Sequence, residues 1–156
     1  MPDVLTTADI AESDGRKIVA EATKWKDTLY APNIPGDKYK GPGATFQQEA
    51  DCSGSVWKIY CNAGYPYDYT TTAAFDAYAR RPNSPFRKLS VGEAAQRGDV
   101  VLYPGHMSIY AGGATVWSAH KTDEKFAMFG VTFFNMHFRY YRYQISAPAK
   151  APAPGM

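Results

Sequence analysis

The stretch DCSGSVWKIYCNAG, residues 51–64, decides the fold. Val56, Ile59, Tyr60 and Ala63 fall three and four residues apart, the spacing of one apolar helix face, and Gly64 stands where a helix C-cap belongs. The pattern predicts a helix over 52–63 with Asp51 as its cap. That places the Cys52 sulfur in the first turn, where unpaired backbone N–H groups and the positive end of the helix dipole favour thiolate over thiol. A thiolate is the nucleophile of a cysteine hydrolase, and it needs a base. A lone cysteine is more commonly a small buried hydrophobe, so the reading rests on what surrounds it.

The base stands about fifty residues downstream, in GDVVLYPGHMSIY over 98–110. Two strand-like runs, 99–103 and 106–111, are joined by Pro104-Gly105, and a third run, 115–120, follows the Gly112-Gly113 turn. In a strand His106, Ser108 and Tyr110 share one face while Met107, Ile109 and Ala111 share the other. The small apolar set suits a core, which leaves His106 for the site as general base toward Cys52 and later as general acid toward a leaving amine.

Outward from these two elements, Ser13 or Asp14 can cap a helix reaching about Lys26, with Ile18, Val19, Ala22 and Trp25 inward. Residues 30–49 are rich in proline and glycine and read as a long loop leading to the nucleophile. Residues 72–80 make a short helix stopped before Pro82, and 121–130 read as a loop or lid. Residues 131–134 and 138–145 supply further strands, with His137 a structural residue in an aromatic strand. Residues 1–12 read as a flexible N-terminus, 13–145 as a single catalytic domain and 146–156 as a disordered Pro/Ala-rich tail. Helices first and a meander sheet afterwards is an α+β order.

In order and content these pieces resemble the NlpC superfamily of papain-like cell-wall endopeptidases. Asp51-Cys52-Ser53-Gly54 matches its nucleophile motif, Arg97-Gly98-Asp99-Val100 with His106–Gly112 its histidine-bearing strands, and Ile18 through Tyr30 its leading helix. The resemblance covers roughly residues 16–145 and implies a papain-like fold with the nucleophile helix packed on an antiparallel meander sheet. It also implies a peptidoglycan amidase that hydrolyses a stem-peptide bond, γ-D-glutamyl to diaminopimelate. A third group that orients the imidazole is expected on the next strand. The family places a histidine there, and counting from Gly112 puts Ser118 at that position; His120, on the same strand face, is the stronger orienter by its chemistry and is the expected third residue, brought into place by a one-pair shift or a bulge. Tyr30 is a candidate oxyanion donor beside the Cys52 backbone N–H, and Asp51, Ser53 and Ser118 are candidate substrate contacts.

Composition sets limits on the rest. The 156 residues carry a net charge of only +2, too little to argue for nucleic acid, although residues 1–51 hold nine acidic and six basic side chains against six and eleven over 52–156. Cys52 and Cys61 lie about 13 Å apart along one helix, beyond disulfide reach. Three scattered histidines give no metal-ligand spacing, and no cofactor is expected. No signal peptide and no membrane-spanning run is visible. The chain therefore looks like the small amidase effectors of type VI secretion: made in the cytoplasm, carried by the secretion apparatus to the periplasm of a target bacterium, and paired with a cognate immunity protein. A phage lysin or housekeeping wall hydrolase of the same chemistry is the alternative, and a catalytically silent wall-binding module a third reading.

Overall fold

A computed structural model describes residues 5–27, 29–30, 49–50, 52–120 and 125–148. The elements run β1 (Leu5–Asp9), α1 (Glu12–Thr23), β2 (Leu29–Tyr30), β3 (Glu49–Ala50), α2 (Cys52–Ala63), α3 (Thr72–Ala79), β4 (Phe86–Lys88), β5 (Val100–Tyr103), β6 (His106–Gly112), β7 (Thr115–His120), β8 (Lys125–Gly130) and β9 (Arg139–Pro148). Among the described residues the strands form one sheet in the order β1-β9-β5-β6-β7-β8-β2-β3, with β4 also on β9. Every pairing is antiparallel except β2 on β3.

Helix α2 forms as its spacing dictates. Val56, Ile59 and Tyr60 are fully buried against β6 and β7, each aliphatic side chain contributing about 1.5–3 kcal/mol by leaving water. The helix ends in a Schellman arrangement: the Tyr65 N–H donates to the Tyr60 carbonyl at 2.9 Å and the Gly64 N–H to the Cys61 carbonyl at 3.1 Å. Gly64 sits at φ +99°, which an L side chain resists. Helix α1 starts at Glu12 rather than after Ser13, because Asp14 in its first turn reaches back to accept the Ala11 N–H at 3.1 Å.

The main core lies between the helices and the sheet, where Tyr60, Tyr67, Phe75, Phe86, Tyr141 and Tyr143 pack edge to face at centroid distances of 4.9–6.3 Å. The opposite sheet face is not solvated. Val101, Tyr103, Val116 and Phe129 on that face are covered by the turns of 131–138 through Phe134, Met136 and Phe138.

Three elements differ from the sequence expectation, each for its own physical reason. Residues 125–130 are a strand, not a loop or lid. Phe126 faces the main core, stacked on Trp117 at 5.5 Å, while Phe129 faces the second core, so a strand buried on both faces shows no alternation. Residues 131–134, expected as a strand, are turns that lay aromatic rings over the sheet, and His137 is exposed there rather than buried in a strand. Asn135 at φ +52° breaks any extended run. Residues 5–9, expected to be loosely ordered, form β1 on the 144–148 end of β9 by backbone pairing, which leaves little trace in side-chain pattern. Residues 31–48 of the expected loop, and 149–156 of the expected tail, lie outside the described residues.

The helical layer also meets the sheet backbone to backbone, at Gly15 and Gly98. A Cβ on Gly15 of α1 would stand 2.0 Å from the Arg97 carbonyl oxygen, and one on Gly98 would stand 2.7 Å from the Gly15 Cα. The Tyr60 hydroxyl of α2 donates to the Gly98 carbonyl, and the Gly98 N–H donates to the Tyr110 carbonyl at 2.9 Å. We predict that Gly15→Ala lowers stability by about 1–3 kcal/mol despite the better helix propensity of alanine, because backbone must move to admit the methyl. Chemical denaturation measures it; a stability equal to or above wild type would contradict the contact.

Candidate active site

Cys52 is the first residue of α2 and is half-buried. Its Sγ lies 3.4 Å from the Thr72 Oγ1, and Thr72 opens α3, a helix capped by the Thr71 side chain, which accepts the Ala74 N–H at 3.3 Å. Thr72 in turn lines a cleft of about 220 Å³ with Tyr103, Pro104 and Gly105, the turn that leads directly into His106. Cys52 and His106 therefore lie at the same end of the sheet, one at the start of a helix and the other at the start of a strand.

His106 is 5% exposed, with its ring against Tyr103 at 5.7 Å and Phe134 at 4.6 Å. Its Nε2 lies 2.9 Å from the Ser118 Oγ and 3.2 Å from the Ser108 Oγ, and the two hydroxyls bond to each other. Both serines are buried. They meet because β6 and β7 pair with Ile109 opposite Trp117, which sets Ser108 against Ser118 on the face opposite the main core. The expected alternation of β6 is present: Met107, Ile109 and Ala111 enter the main core, and Tyr110 packs on the other side. The β6–β7 ladder does shift, but at Tyr110–Gly112, the far end from His106. In the tautomer that donates Nε2–H to Ser118, Nδ1 is the basic nitrogen.

The other candidates fall as follows. The Tyr30 backbone pairs in β2 opposite Ala50, two residues before Cys52; its side chain lies outside the described residues, as does Asp51. Ser53 is buried and its hydroxyl is 3.0 Å from that of Tyr69, a packing contact that anchors the helix start to the 64–71 connection. His120 ends β7 opposite Lys125, and its side chain lies outside the described residues. Thr72 and Ser108 were not singled out from sequence. Ser108 was visible in principle, two residues from His106 on the same strand face. Nothing local marks Thr72, whose contact spans twenty residues. Among the described residues no group of three or more His, Cys, Asp or Glu side chains is placed to hold a metal ion, and no helix is long and apolar enough to cross a membrane.

Comparison with solved structures supplies the fold. The NlpC/p60 domain of the peptidoglycan hydrolase SagA superposes with a TM-score of 0.55 at 26% identity, over 81% of this chain and 97% of that one. The chain has the NlpC/P60 fold. NlpC1 from Trichomonas vaginalis aligns at a TM-score of 0.63 and 18% identity over 88% of this chain, which spans 46% of that protein's length. The peptidoglycan hydrolase RipB from Mycobacterium tuberculosis aligns at 0.55 and 20% over 85% of this chain and 67% of its own. No family sequence model and no curated protein sequence matches the chain.

A hydroxyl against a sulfur matters most when the sulfur carries charge, because a charge-assisted hydrogen bond is the stronger kind. Thr72→Val keeps shape and removes the donor. Iodoacetamide alkylation of Cys52 at neutral pH, followed by mass spectrometry, is expected to slow by about 3- to 10-fold, the worth of one hydrogen bond. An unchanged or faster rate would show that Thr72 does not act on the sulfur.

Proposed function

We propose that this protein is a cysteine amidase that hydrolyses peptide bonds in the stem peptides of bacterial peptidoglycan. The observation that carries the reading is His106, held through Nε2 by buried Ser118 next to the turn that lines one cleft with Thr72, the contact of the Cys52 sulfur, on a fold shared with peptidoglycan hydrolases.

In this reading Nδ1 of His106 takes the Cys52 proton, and the thiolate attacks the carbonyl carbon of the scissile amide. The oxyanion is met by the Cys52 backbone N–H at the helix start and by the Tyr30 hydroxyl. Collapse breaks the C–N bond, the imidazolium proton passes to the leaving amine, and a thioester remains on Cys52. Water, deprotonated by His106, then releases the second product and restores the thiol. Ser118 and Ser108 hold the ring during both transfers. A neutral hydroxyl pair orients an imidazole without neutralising its positive charge, so this arrangement relies on geometry more than on a counter-ion. The family resemblance points to the γ-D-glutamyl-diaminopimelate bond. A likeness to the small amidase effectors of type VI secretion adds an antibacterial role with a cognate immunity protein, and this role is part of the proposal.

Purified sacculi test the chemistry. Wild type is expected to release stem-peptide fragments identified by mass spectrometry, Cys52→Ala none above background, and Cys61→Ala nearly as much as wild type. Directed to the periplasm of a Gram-negative host, the wild type should lyse cells and Cys52→Ala should not, while cytoplasmic expression is tolerated. Sustained cleavage by Cys52→Ala would remove the thiol mechanism.

Ser118→Ala is expected to lower kcat by about 10- to 100-fold with KM little changed, part of the roughly 10²–10⁴-fold that a positioned base supplies. His120→Ala should then have the smaller effect. The reverse order, in steady-state kinetics on a soluble stem peptide, would assign the orienting role to His120.

A further inference from the structure

The cleft beside Thr72 extends away from His106 along its other wall, where His137 and Arg139 line it opposite Thr72, Ala73 and Asp76 of α3. Arg139 is the first residue of β9 and pairs with Leu102 of β5, which pairs in turn with Met107, the neighbour of His106. Two strand spacings thus separate Arg139 from the histidine end of β6, about 10 Å between backbones. On β9 Arg139 has the parity of Tyr141, which enters the main core, so its side chain leaves the sheet on the face that carries α2 and α3.

The charges in the cleft are unequally satisfied. The Asp76 carboxylate is already engaged: it accepts the Tyr141 hydroxyl at 2.5 Å and Arg80 Nε at 2.8 Å, with Lys88 at 3.7 Å. The Tyr141 bond is the leading cause that holds its pKa below the usual carboxylate value. Arg139 is exposed, and among the described residues no carboxylate pairs with it. A guanidinium fork that stands in a cleft, with its one neighbouring carboxylate committed elsewhere, is a receptor for an incoming carboxylate.

We infer that this cleft is a binding subsite for a carboxylate-bearing residue of the substrate, with Arg139 as the anchor and His137 on its rim. The inference rests on the amidase reading for the identity of the substrate. A stem peptide suits it chemically, since each γ-linked or diamino-acid residue keeps a free carboxylate on its side branch. An extended chain advances about 3.3–3.6 Å per residue, so the roughly 10 Å between the two strands corresponds to about three residues of a bound peptide.

The test measures binding apart from turnover. In a Cys52→Ala background, calorimetry with a synthetic stem tetrapeptide and with its fully amidated counterpart compares Arg139 with Arg139→Gln and Arg139→Lys. The free-acid peptide is expected to bind about 10- to 100-fold more weakly to Arg139→Gln, with Arg139→Lys intermediate, and the amidated peptide to bind all three proteins equally and weakly. Binding of the free acid should also weaken as salt is raised, as expected for an ion pair in an open cleft. Equal affinity of the free acid for Arg139 and Arg139→Gln, or the same loss for both peptides, would overturn the subsite. If Arg139 controls binding while wild type cleaves neither peptide nor sacculi, the subsite stands and the amidase reading falls.

Discussion

The Gly98 carbonyl accepts the Tyr60 hydroxyl, and Gly98 itself lies against Gly15, so one residue between two loops fastens α1 and α2 to the start of β5. Its φ of +91° and the absence of a side chain are both needed there. From that anchor β5 runs to the Pro104-Gly105 turn, and the turn delivers His106. The helix that begins with Cys52 is held by the same contact through Tyr60, two turns further along. The helix that begins with Cys52 and the strand that begins with His106 thus share this contact. Burial raises the Tyr60 pKa well above its usual value, which keeps the hydroxyl protonated as the donor this bond requires.

Beside this anchor sits a buried ion pair with a different role. Asp99 is 1% exposed and receives Arg142 through Nε at 3.0 Å and Nη2 at 2.9 Å, with the Gln96 N–H at 2.8 Å. Burial still pushes the Asp99 carboxyl up from its usual value, against the pull of these donors. Such a pair adds little net stability over an apolar replacement, but losing one partner would strand a charge. It ties β9 to β5, the two strands that set Arg139 beside the cleft. The aspartate of the Gly-Asp-Val motif is therefore architectural.

The polar cluster under His106 shows how a strand face can hold an imidazole rigidly. Ser108 and Ser118 are sealed from solvent and satisfy each other as well as the imidazole. A fully satisfied buried network is stiff, because every alternative rotamer leaves an unpaired donor or acceptor. Phe134 and Tyr103 close the ring's sides, so the 131–138 turns that cover the second sheet face also limit how the histidine can tilt.

Much of this was legible in the chain itself. The 3.6-residue spacing in 52–63 and the alternation in 106–111 are strong local signals, and they correctly assigned the helix over 52–63, the three central strands and the α+β class. The local signals failed where both faces of an element are covered, as in β8, or where backbone pairing alone makes the strand, as in β1. They also mistook the aromatic run 131–134 for strand, since rings that roof a sheet and rings within one look alike in sequence. Sequence chemistry named Cys52 and His106, and a residue count named Ser118 beside the chemically stronger His120. That Ser118 touches the imidazole, that Thr72 meets the Cys52 sulfur and that Arg139 faces the same cleft are facts of long-range packing. Each depends on strand register or on the docking of a separate helix, and no local pattern encodes the distance between residues that only folding brings together.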